Sequence, residues 1–120
     1  MTLTLYGIPN CTTVKRARAF LAEHTVAHVF HDLKKQGLSA ALLQPWVEQL
    51  GWERLVNRQG TTWRQLDPAR QAAVVDAPSA VEQLLATPSL MRRPVVVWPD
   101  GHVSVGFDAL TWTETLKRSV

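Results

Sequence analysis

Polar and apolar residues change rhythm several times along this chain, and each change predicts an element. Residues 2–6 alternate and carry β-formers, which predicts a strand broken by Gly7 and Pro9. From Thr12 to about His24 the period turns helical. Val14, Ala17, Phe20 and Leu21 share an apolar face, and Lys15, Arg16, Arg18 and Glu23 take the rest. Residues 26–31, Val-Ala-His-Val-Phe-His, read as a second strand, so the first part of the chain is a βαβ unit with parallel strands.

A polar link from Asp32 to Gly37 follows. Ser39 then suits the N-cap of a helix that carries Leu42, Leu43, Trp46, Val47 and Leu50 and ends at Gly51. A short turn spans 51–55, and Asn57-Arg58-Gln59-Gly60-Thr61-Thr62-Trp63-Arg64 reads as irregular, polar and basic. Asp67 and Pro68 suit the cap and first position of a helix through Ala72, Ala73 and Val74, stopping before Pro78. Ser79 and Glu82 have the spacing of a capping box for another, through about Thr87. Val95-Val96-Val97-Trp98 reads as a buried strand, Pro99-Asp100-Gly101 as a hairpin turn and His102–Val105 as the antiparallel return. Gly106 ends that strand. Asp108 caps a last helix whose apolar residues include Leu110, Trp112 and Leu116. Trp46 and Trp63 are candidates for the edge of a cleft, and Asp32 and Asp108 read as turn or cap residues rather than acids in catalysis.

Composition narrows the class. The chain has 120 residues, 46% apolar and 19% charged, which fits one globular domain with a core of its own. The net charge is +3, with a sequence pI near 9.5. The cations are dispersed: Lys15–Arg16, Lys34–Lys35, Arg92–Arg93 and Lys117–Arg118 are the adjacent pairs. With no basic stripe interleaved with aromatics, direct nucleic-acid binding is not expected; small anionic thiols or an acidic partner surface fit better. There is neither a signal-peptide pattern nor an apolar stretch long enough to span a bilayer, so the cytoplasm, away from membranes, is the expected location, and the short, self-contained layout suits a monomer. His24, His28, His31 and His102 are scattered without metal-ligand spacing, and no metal or tightly held cofactor is expected.

The single cysteine, Cys11, carries the chemistry. It lies between the first strand and the first helix, where unpaired amides and the helix dipole favour an anion. A thiol there tends toward a lowered pKa and nucleophilic character; the alternative is an inert buried cysteine. Lys15 is the better placed of the nearby cations to stabilise a thiolate through space, and Asn10, Thr12 and Thr13 are candidates to cap the helix or hydrogen-bond the sulfur. In the basic loop, Arg58 is favoured over Arg64 as an anion ligand.

Four segments together resemble the arsenate-reductase-like (ArsC/Spx/YffB) family of thioredoxin-fold proteins. They are Gly7-Ile8-Pro9-Asn10-Cys11-Thr12-Thr13-Val14-Lys15-Arg16-Ala17-Arg18, the loop 57–64, Pro88-Ser89-Leu90-Met91-Arg92-Arg93-Pro94 and Val105-Gly106-Phe107-Asp108. They occur in the family's order over nearly the whole chain, and the YffB branch is the nearest. The order β-α-β, a helical block, then β-β-α agrees with that layout. The resemblance implies an α/β fold of the thioredoxin-like class: a four-stranded mixed sheet, residues 1–120 as one domain, and about 38–88 as a helical insertion.

It also implies a cis Pro94 facing Cys11, with Arg93 and Arg58 as ligands for substrate or glutathione. The activity implied is a glutathione-dependent thiol-disulfide reductase. Where many redox members carry Cys-x-x-Cys, this chain has Cys11-Thr12-Thr13-Val14, so a mixed disulfide on Cys11 needs an external thiol, glutathione or a small redox protein, to resolve it. Two other readings stand beside this one. One is a non-catalytic Spx-like module that binds RNA polymerase. The other is an arsenate reductase whose oxyanion site lacks the arginine expected near Gly106.

Overall fold

The computed structural model describes residues 2–118. Its elements are β1 (Leu3–Gly7), α1 (Thr12–Glu23), β2 (His28–Asp32), α2 (Ala40–Leu50), α3 (Trp52–Leu55), α4 (Thr61–Gln65), α5 (Pro68–Ala72), α6 (Ala77–Ala86), a 3₁₀ turn (Pro88–Leu90), β3 (Val95–Val97), β4 (Val103–Val105) and α7 (Ala109–Arg118). They fall into two compact units, one formed by the stretches up to Gln36 and from Arg93 onward, the other by Gly37–Arg92. Among the described residues no helix is long and apolar enough to cross a membrane.

The first unit holds the sheet, in the order β2-β1-β3-β4. β1 pairs parallel with β2, Leu3 opposite His28 and Gly7 opposite Asp32. It pairs antiparallel with β3, which pairs antiparallel with β4. One strand face of β1, Leu3 and Leu5, meets the apolar face of α1 in a core with Val96, Trp98 and Trp112. All four residues assigned to the buried face of α1 are buried there. Aromatic edges lock this core: the Trp112 ring lies 5.2 Å from Trp98, 5.9 Å from Phe20 and 4.8 Å from Phe107, each in T-shaped contact.

Several expectations shift. Gly7 does not break β1 but is its last residue, paired with Asp32, and a side chain there would collide with α1: an added Cβ would lie 2.7 Å from Val14 Cγ2. β2 starts at His28 rather than residue 26. Thr25 takes the left-handed conformation (φ 56°), and the Val26 amide donates to the Leu21 carbonyl at 2.8 Å, which keeps Val26 in the turn that closes α1. Asp32 is the last residue of β2 rather than the first of the turn, and its carboxylate braces the turn that follows: Oδ1 accepts from the amides of Lys34 and Lys35. The hairpin after β3 also forms as read, with the Gly101 amide donating to the Trp98 carbonyl. Asp108 caps α7, accepting from the Leu110 amide and the Thr111 hydroxyl, but Leu110 itself faces solvent, 81% exposed.

In the second unit, Ser39 caps α2 by accepting from the Leu42 amide, and Gly51 ends it with φ 84°. Trp46 is in the core here, 2% exposed, and edges no cleft. Residues 52–55 and 61–65 are helical rather than turn and irregular loop. α5 has Asp67 as cap and Pro68 at its start, as expected, but closes at Ala72. α6 begins at Ala77, two residues before Ser79. Asp76 is its cap, Pro78 sits in the first turn where a missing N–H costs nothing, and the reciprocal box runs between Asp76 and Ser79 instead of Ser79 and Glu82.

Candidate active site

The turn between β1 and α1 presents the thiol. The Cys11 amide donates to the Ile8 carbonyl at 3.3 Å, so Pro9 and Asn10 occupy a tight reversal after the strand. The Cys11 backbone is extended (φ −88°, ψ 125°) and its carbonyl accepts from the Lys15 amide at 2.9 Å, which makes Cys11 the N-cap of α1. Helices ordinarily place an oxygen at this position, to accept from the second or third amide of the first turn. Here those amides belong to Thr13 and Val14, and they face sulfur. The Cys11 side chain makes no capping hydrogen bond. Asn10 and Thr12 do not cap the helix either: Cys11 is the cap, and Thr12 is the first helical residue.

Opposing forces act on this thiol. Partial burial pushes its pKa up. The Val14 amide, the Arg93 guanidinium through both a hydrogen bond and its charge, and the Thr13 amide push it down, and together they prevail: the thiol lies below its ordinary value. Lys15 is not among the groups acting on the sulfur. Its side chain is exposed and lines a groove on another part of α1. The cation that serves Cys11 comes instead from the distant segment before β3.

Arg93 precedes a cis peptide bond to Pro94, the arrangement the family resemblance implied. Pro94 is buried, and its carbonyl accepts from the Gly106 amide at 2.8 Å. Gly106 sits at φ 82°, a conformation that side chains disfavour. The neighbouring Phe107 ring packs on Phe20 and Trp112. Where the resemblance to arsenate reductases calls for a third arginine, this chain therefore has a left-handed glycine and a half-buried aromatic residue packed against the core. Val14, at the place of a second cysteine, is fully buried beneath Gly7.

Arg58 belongs to the second unit. Its guanidinium lies 5.1 Å over the Trp52 ring and 5.8 Å from that of Trp63, both half-buried. Arg64 donates to the Gln59 carbonyl at 2.9 Å and so braces the loop; both arginines are exposed. Trp52 was not singled out in the sequence; its only cue was proximity to Arg58. The Thr13 and Val14 amides likewise lack a residue-type signature, since any residue but proline supplies them.

A sheet of this order, with a lone cysteine at the start of the first helix and an arginine–cis-proline pair answering it, defines a protein of the thioredoxin-like class. The profile of the ArsC family matches residues 6–115. An uncharacterized protein of Haemophilus influenzae is 40% identical over 106 residues, which cover 88% of this chain and 91% of that one. The solved structure of the YFFB protein superposes with a TM-score of 0.87 at 42% identity, covering 94% of this chain and 97% of its own. An arsenate reductase (ArsC) related protein from Brucella melitensis is 44% identical with a TM-score of 0.76, covering 98% and 96%. The chain belongs to the ArsC family.

Proposed function

We propose that this protein is a thiol-disulfide reductase in which Cys11 is the sole nucleophile and glutathione the co-substrate. The observation that carries the reading is the lowered Cys11 thiol, set between the Val14 and Thr13 amides and the Arg93 guanidinium. The thiolate attacks one sulfur of a disulfide. The old S–S bond breaks, a Cys11 mixed disulfide forms, and the other sulfur leaves as a thiolate that takes a proton from water. One glutathione thiolate displaces the substrate's remaining half and becomes linked to Cys11. A second glutathione then attacks that mixed disulfide and frees the Cys11 thiolate. Two electrons pass to the substrate, and two reduced glutathione molecules become one disulfide. Arg93 orients the anionic thiol, and the backbone about Pro94 offers pairing to an extended peptide.

Arsenate reduction fits less well, because the left-handed Gly106 and the packed Phe107 occupy the region where a further guanidinium is wanted. The reading assigns the protein to a reducing cytoplasm, which keeps the lone thiol free. Its test is intact mass after incubation with oxidised glutathione. One adduct on Cys11, removed by reduced glutathione and absent from Cys11→Ser, is the expected result. A thiol that stays unmodified while an unstructured cysteine peptide reacts contradicts it.

A further inference from the structure

Away from the sulfur, α1 carries a basic groove that the reductase chemistry does not use. Pro9, Lys15, Arg18, Ala19, Ala22 and His28 line it, and its volume is about 380 Å³. The lysine, arginine and two alanines recur at the spacing of one helix face. No acidic side chain is among these lining residues, and up to His31 the chain's only carboxylate is Glu23. Among the described residues neither Lys15 nor Arg18 is in an ion pair. Arg18 is nevertheless held: its Nε donates to His28 Nε2 at 3.4 Å, and its guanidinium lies 4.2 Å over the Phe30 ring. A cation held by partners that bring no negative charge keeps its full charge for a visitor and loses less freedom on binding one.

The groove has direction. Pro9, two residues before Cys11, marks one end. His28 pairs with Leu3, at the end of β1 remote from Gly7, and marks the other. From Lys15 to Ala22 the helix rises about 10 Å, the span of about three residues of extended chain. A single small anion does not fill that length; a run of carboxylates along a strand does.

We propose that this groove docks an acidic, extended peptide segment, belonging to the protein whose disulfide reaches Cys11. The identity of that protein as a redox substrate rests on the reductase reading; the docking of an acidic segment does not. The small alanine side chains leave room for a backbone to lie on the helix, while Lys15 and Arg18 meet successive carboxylates.

The test titrates the isotope-labelled full-length protein with an acetylated, amidated tri-glutamate peptide, its tri-glutamine counterpart, and glutarate. The expected result is saturable amide shifts at Lys15, Arg18, Ala19, Ala22 and His28 with tri-glutamate, weakened by salt. Tri-glutamine gives none, and glutarate binds at least several-fold more weakly. Arg18→Gln and Lys15→Gln each weaken tri-glutamate by about two- to fivefold, while Arg16→Gln, outside the lining, does not. Shifts elsewhere, an equal loss in Arg16→Gln, or glutarate binding as well as the peptide overturns the proposal. Because the probes contain no sulfur, failure here is separate from failure of Cys11 to take up glutathione.

Discussion

Cys11 stands where most helices carry an oxygen, and that substitution of sulfur for oxygen turns a structural position into a reactive one. A serine at the N-cap would accept from the Thr13 or Val14 amide and stop there. A thiol gains little from those amides when neutral and much more when ionised, so the same geometry that caps a helix drives deprotonation. Arg93 supplies the charge. Arg93→Gln removes both its hydrogen bond and its field, leaving burial less opposed, and the Cys11 thiol moves back upward. The expected outcome is slower uptake of oxidised glutathione by Arg93→Gln at neutral pH, with a larger loss than for Lys15→Gln, followed by intact mass over time. The special position of Cys11 was legible in the sequence because a strand, a Gly-Ile-Pro-Asn turn and an amphipathic run frame it. The source of the cation was not. Lys15 and Arg16 are near in sequence, but the first turn of α1 carries their side chains outward, whereas Arg93 comes from the segment before β3.

Among the elements, the join of β1 to α1 is the tightest point. Gly7 lets the strand end lie against Val14, and an added methyl would sit 2.7 Å from Val14 Cγ2. Gly7→Ala is therefore expected to cost about 1–3 kcal/mol by overpacking, measured by urea denaturation. Gly7→Ala with Val14→Ala recovers part of the overpacking loss, though the second change opens space of its own. Recovery of none would contradict a steric cause. Local rules located α2 well, since Ser39 and Gly51 are strong signals at its two ends. They misplaced the start of α6, because Asp76-x-x-Ser79 and Ser79-x-x-Glu82 offer overlapping boxes and only the packed chain chooses between them. β2 slipped for a similar reason: Val26 is a good strand former, yet its amide is claimed by the Leu21 carbonyl.

The whole chain couples its stability to the state of one thiol. In the folded protein the Cys11 thiol is lowered; unfolded, it returns to about 8.5. The linked stabilisation is thus fully present above the unfolded value and is lost as pH falls through the lowered folded value. Under reducing conditions, urea midpoints of the wild type relative to Cys11→Ser are expected to rise with pH across that window; a constant difference would contradict the linkage. The order of elements, the mixed sheet and the cis bond at Pro94 were all legible, most of them through four short segments whose order matched a family. The charge pattern spoke less clearly. A net charge of +3 looks dispersed along the sequence, yet the α1 groove places Lys15 and Arg18 on one surface. The central claim remains the ionisation of Cys11, and the rate of its alkylation by iodoacetamide as a function of pH tests it most directly. The account predicts a single titration with its midpoint clearly below the free-thiol value of about 8.5; a midpoint at or above that value would contradict it.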